Sequence, residues 1–151
     1  MSKIFKFVTI LILIFIFFVL YFQFTKDNST DAIVIFQTDN KDIAFYCDIA
    51  DDAQSRQKGL LEVTHLEYNY GMIFIYEYAA LRTFTMKNML IPLDIIFIDE
   101  NQTVVHIVEA DIGQEHISSN KNVQYVVEIN RGLADEHQIT IGTKIKLIIN
   151  N

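Results

Sequence analysis

The sequence predicts a mainly β domain, a jelly-roll-like β-sandwich or barrel with one or two short helices, preceded by a single transmembrane helix. Three observations lead there. About eight short segments alternate in polarity with a period of two and are separated by turn residues at regular spacing. One segment alone carries a clear helix-start signal. The first part of the chain holds a long apolar run unlike anything that follows it.

That run, "FVTILILIFIFFVLYFQF" (7–24), has only Thr9 and Gln23 as clearly polar members. As a helix rising ~1.5 Å per residue it reaches roughly 27 Å, close to the hydrocarbon thickness of a bilayer. A cleaved signal peptide would have a shorter core followed by small residues, whereas this run ends in Tyr21, Phe22, Gln23 and Phe24. It reads as an uncleaved signal-anchor. Lys3 and Lys6 lie before it, and Lys26 sits beside Asp27 and Asp31 after it. Positive-inside bias then puts residues 1–6 in the cytoplasm. Residues 25–31 form a polar linker, and 32–151 form an extracytoplasmic domain held at the cell membrane.

In the domain, "AIVIFQ" (32–37) and "DIAFYCDI" (42–49) read as a hairpin across "TDNK". Asp51, with Gln54 three residues on, opens a helix of about two turns that ends near Gly59. Strands follow at "MIFIY" (72–76), "RTFTMK" (82–87), "LDIIFID" (93–99) and "TVVHIV" (103–108). Residues 109–121 lack periodicity and read as a loop. "VQYVVEIN" (123–130) is a strand, "LADEH" one helical turn, and "TKIKLII" (143–149) the last strand.

All 19 acidic residues lie after residue 26, against ten Lys and Arg beyond Lys3 and Lys6, so the outer part carries −9. Such a surface has little with which to neutralise phosphates, which argues against a nucleic-acid partner. The single cysteine, Cys47, shares parity with Ile43, Phe45 and Ile49, so it falls on the apolar face as an inert thiol. His106 shares parity with Val104 and Val108 and reads as half-buried and hydrogen-bonded. Asn28 and Asn101 head N-x-S/T sequons. No nucleophile elbow, zinc-protease, phosphate-loop or dinucleotide fingerprint occurs, so the sequence assigns no catalytic residue, metal ligand or cofactor.

The chemistry concentrates in "FTMKNMLIPLDIIFIDE" (84–100). Pro92, the only proline, cannot donate to a ladder and marks a strand entrance. Asp94 shares parity with Ile96 and Ile98, while Leu93, Ile95 and Phe97 take the opposite face, so both faces are apolar and Asp94 needs a partner. Lys87, and main-chain groups near Asn88, are the partners nearest in sequence. Glu128 in "YVVEIN" is a second carboxylate interrupting apolar residues. Lys87, Asn88, Asp94 and Glu128 are the candidate ligand-binding residues, either as a structural Lys-Asn-Asp pin at the bend or as a cluster facing a ligand.

"GLL" (59–61), "GMIF" (71–74), "FTMKNMLIPLDIIFID" (84–99), "YVVEINRG" (125–132) and "IGTKIKL" (141–147) resemble, in order and spacing, Domain of Unknown Function 192, also called Uncharacterised Protein Family 0127. Thr85 stands where an aromatic is common in that family, and Gln102 where glycine is common. The resemblance implies a β-rich, jelly-roll-like domain, often exported or membrane-attached, and carries no activity with it. The expected function is a non-catalytic module binding a small molecule or a partner protein. The alternatives are a hydrolase using Asp94 and Glu128 on a polar or saccharide-like substrate, and a structural or assembly protein.

Overall fold

The computed structural model describes residues 12–16 and 31–150. Among them are nine strands: β1 (Ala32–Gln37), β2 (Asp42–Ala50), β3 (Tyr70–Ala80), β4 (Thr83–Phe84), β5 (Leu93–Ile98), β6 (Val104–Ala110), β7 (Ile117–Ser118), β8 (Val123–Asn130) and β9 (Lys144–Ile149). Two short helices, α1 (Ala53–Lys58) and α2 (Leu133–Glu136), accompany the strands. The mainly β expectation holds. The expected anchor, residues 7–24, lies outside the described residues except for Ile12–Ile16, which are helical with exposed side chains. No helix among the described residues is long and apolar enough to cross a membrane.

Seven strands form one sheet in the order β6-β5-β8-β3-β2-β1-β9, and β4 pairs with β7 as a separate two-stranded ribbon. Every neighbour in the large sheet is antiparallel except β2 and β3. A parallel pair needs a crossover connection, and residues 51–69 with α1 supply it. The sheet curls until its outer strands touch. Thr103 bridges Lys144, Val104 N donates to Thr143 O at 2.9 Å, and Ile145 N donates to Gln102 O at 2.9 Å. This single curled sheet is the barrel-like one of the two arrangements expected.

Two apolar clusters occupy the two faces. One gathers Phe36, Phe45, Ile96, Ile98, Val127 and Ile129 with α2, and the other gathers Leu60, Phe74, Met89, Ile95, Phe97 and Val126 under the crossover. β5 runs between them with all six residues buried, as the apolar residues of both parities require. It begins directly after Pro92, at the expected entrance.

Some local expectations move. The helix cap is Asp52 rather than Asp51: its Oδ1 accepts from Gln54 N at 2.7 Å and Ser55 N at 2.9 Å, and its own N–H donates to Ser55 Oγ. The capping box therefore closes with Ser55, one residue beyond Gln54. The strand expected over 82–87 shrinks to Thr83–Phe84. Met86 N donates to Gln114 O at 2.7 Å, Met89 N donates to Met86 O, and Asn88 takes φ 63°, so the chain turns there. The expected loop 109–121 contains β7, the partner of β4.

Cys47 is fully buried, and burial pushes its thiol up to about 12, which keeps it inert. His106 is half-buried, stacked on Phe97, with Nε2 3.2 Å from Asn120 Nδ2.

Candidate functional site

Asp94 is fully buried on β5, and its partner is not Lys87. Its Oδ2 accepts from Ala134 N at 2.8 Å, with the Gly132 backbone also donating. The reason lies in α2. Its N-cap is Gly132, in the left-handed region at φ 87°, with no side chain to satisfy the open N–H groups of the first turn. Asp94 supplies that carboxylate from a neighbouring strand. Oδ1 has no partner among the described residues, and burial raises the Asp94 pKa against the lowering effect of the backbone donors.

Lys87 lies at the surface and pairs with Glu115 at 3.8 Å, so the expected Lys87–Asp94 pin does not form. Asp94→Ala should cost about 1–3 kcal/mol by leaving the α2 donors buried without an acceptor, while Lys87→Ala should leave stability nearly unchanged. A double-mutant cycle in urea should find the two additive. Coupling above ~1 kcal/mol would restore the pin.

Glu128 belongs to a different place. In the β5–β8 register Ile95 faces Glu128 and Asp94 faces Ile129, so the two carboxyl groups emerge on opposite faces of the sheet. Glu128 is 5% exposed, makes no hydrogen bond or ion pair with the described residues, and sits at the floor of a cleft of about 390 Å³. Burial pushes its carboxyl up to about 8, so at neutral pH it is mostly protonated and acts as a donor.

The cleft is layered by depth. Leu60, Phe74, Met89 and Glu128 are buried, Arg56, Tyr76 and Phe84 are half-buried, and Lys58, Lys87 and Asn88 stand exposed at the mouth. A bulge in β3 shifts the ladder between Ile75 and Ala80 and frees main-chain carbonyls. Arg56 Nη1 donates to Ile75 O at 3.1 Å and Gln124 Nε2 to Tyr76 O at 3.2 Å. Arg56 and Arg82 then flank the Tyr76 ring at 5.0 and 3.8 Å from its centroid. Burial raises the Tyr76 phenol most, the two arginines oppose that rise, and Glu128 adds to it.

Three of the four expected residues, Lys87, Asn88 and Glu128, thus line one cleft, and Asp94 does not. Sequence reasoning missed Arg56, Phe74 and Tyr76. The β3 bulge and the crossover that bring them to Glu128 carry no local signature. The two departures also find their places. Thr85 lies exposed at the cleft mouth, and Gln102 takes φ 56°, a conformation in which glycine is the relaxed choice.

Curled sheet and cleft together define a small β-barrel-like domain with one acid-floored pocket. The chain belongs to the DUF192 family, described as "Uncharacterized ACR", whose family model matches residues 34–147. It is similar to a protein of unknown function from Novosphingobium aromaticivorans DSM 12444 at 31% identity and a TM-score of 0.73, covering 76% of this chain and 83% of that one. It is also similar to a proposed transcription regulator from Sinorhizobium meliloti 1021 at 25% identity and a TM-score of 0.73, covering 80% and 96%. No curated protein matches the chain.

Proposed function

We propose that the protein is a membrane-anchored, extracytoplasmic binding module whose small-molecule ligand enters the cleft above Glu128. The observation that carries this reading is the Glu128 carboxyl, almost wholly buried with no partner among the described residues, at the floor of an open cleft. Stability alone favours an apolar residue there, and groups held against stability gather where ligands bind. Lys87 and Asn88 serve at the mouth, while Asp94 acts only by capping α2. A hydrolase built on Asp94 and Glu128 is not available to this fold, because the sheet stands between the two groups. Regulation of transcription through DNA, by analogy with the Sinorhizobium relative, finds no support in a chain of net charge −7.

Protein extracted from its own membranes should carry a small molecule in native mass spectrometry, and Glu128→Leu should lose it while staying folded. Equal occupancy in the two proteins, or none in the wild type, would overturn the cleft.

Anchoring by residues 7–24 is part of the same proposal. It rests on the length of the apolar run and on the five helical residues Ile12–Ile16, whose side chains are 47–68% exposed. The full chain should stay in the membrane pellet after alkaline carbonate washing. Mature native protein lacking residues 1–24 would refute the anchor.

A further inference from the structure

Building on the cleft reading, the geometry points to a ligand class: a small organic anion with a flat apolar body. We infer that its charged head meets Lys58 and Lys87 at the mouth and that its ring lies against Phe74 and Phe84.

The argument starts from charge placement. The domain is strongly acidic, yet three of the nine Lys and Arg that follow residue 31, namely Arg56, Lys58 and Lys87, line this one cleft. Glu128 is the only acidic residue lining it among the described residues. Lys58 has no ion pair among the described residues, and Lys87 has one long, exposed pair to Glu115, which competes weakly with a ligand. Arg56 is tied to main-chain oxygens through Nη1, leaving its other guanidinium nitrogens without a protein acceptor among the described residues.

The depth order supplies the rest. The cations stand outside and half-way, the edge-to-face pair Phe74–Phe84, with centroids 5.0 Å apart, lies inside, and Glu128 is at the floor. Buried and without a partner among the described residues, the Glu128 carboxyl keeps its proton at neutral pH and offers it outward. The charged groups lining the cleft, Arg56, Lys58 and Lys87, are all cations, and Tyr76 and protonated Glu128 add donors, so an acceptor-bearing anion is favoured over an ammonium, which the three cations repel. Planar apolar bodies suit walls of this kind, with a few polar groups fixing orientation.

Benzoate, benzylamine and benzyl alcohol share one ring and differ in the head group. Titrated into the isotope-labelled full chain in mild detergent near pH 7, benzoate should shift the amides of Leu60, Phe84 and Asn88 at the lowest concentration. Its affinity should fall at least fivefold in Lys58→Gln/Lys87→Gln, whose two positions are exposed and leave the fold intact. It should also weaken as pH rises through about 8, where Glu128 ionises. Tighter binding of benzylamine, or of benzyl alcohol, would overturn the anion class while leaving a small-molecule cleft in place. If none of the three shifts those amides, the cleft reading falls with it.

Discussion

Raising the pH from about 5 to about 8 should destabilise the wild-type fold, and Glu128→Gln should remove most of that loss. A glutamate in the unfolded chain gives up its proton near 4.5, whereas burial holds the Glu128 proton in the folded chain up to about 8. Between those values the folded state binds one more proton than the unfolded state, so stability falls with rising pH. The contribution is intact below 4.5 and is lost as pH climbs through about 8. Each pH unit of that window is worth up to ~1.4 kcal/mol, several kcal/mol in all. Asp48 and Asp94 are also raised by burial and act in the same direction. They are unchanged in the variant, so the difference between the two melting profiles isolates Glu128. Parallel wild-type and variant profiles would mean that the carboxyl is solvated or paired.

Gly71→Ala should be the most damaging single-methyl change in the domain. Four of the five glycines, Gly59, Gly113, Gly132 and Gly142, adopt positive φ and are there for backbone freedom. Gly71 is different. A Cβ at this position would lie 2.5 Å from the Glu128 carbonyl oxygen, 3.0 Å from Ile129 Cγ2 and 3.5 Å from Cys47 Sγ. β3 is clamped here between β2 and β8, with Gly71 opposite Cys47 on one side and Ile129 on the other. A main-chain oxygen cannot swing aside as a flexible side chain does, so a ladder has to shift. The expected loss is about 3 kcal/mol or more, read as a lower urea midpoint. Because the displaced carbonyl belongs to Glu128, surviving protein should also bind less in the cleft. An unchanged midpoint would show that β3 and β8 are further apart than the structure places them.

Two local signals in the sequence match the structure. Pro92 announced the start of β5, and the two parities around Asp94 announced that both its faces are covered. Glu128 was visible as a break in an apolar strand. Its neighbours were not, because period-two alternation assigns a face within a strand and says nothing of which strand lies beside it. The pairing of Ile95 with Glu128, which separates Glu128 from Asp94, appears only once the register is known. The mistaken Lys87–Asp94 pair has the same origin. Lys87 was near in sequence, while the donor Ala134 is 40 positions away and owes its need to a glycine cap. Two adjacent aspartates hid the helix cap for a simpler reason: Asp51 and Asp52 are equally good candidates until Ser55 closes the box.

The place of β1 in the sheet has a mechanical consequence. The strand is paired in register with β2 at six positions and with β9 at six more, and Asn150 N donates to Asp31 O at 2.8 Å just ahead of it. Tension applied along the chain at Asp31 therefore loads two ladders in shear, with many hydrogen bonds resisting together. The same tension applied at Asn150 acts on β9, which has β1 as its one full-length neighbour, so one full ladder rather than two carries the load. The domain therefore grips the chain more firmly through β1 than through β9.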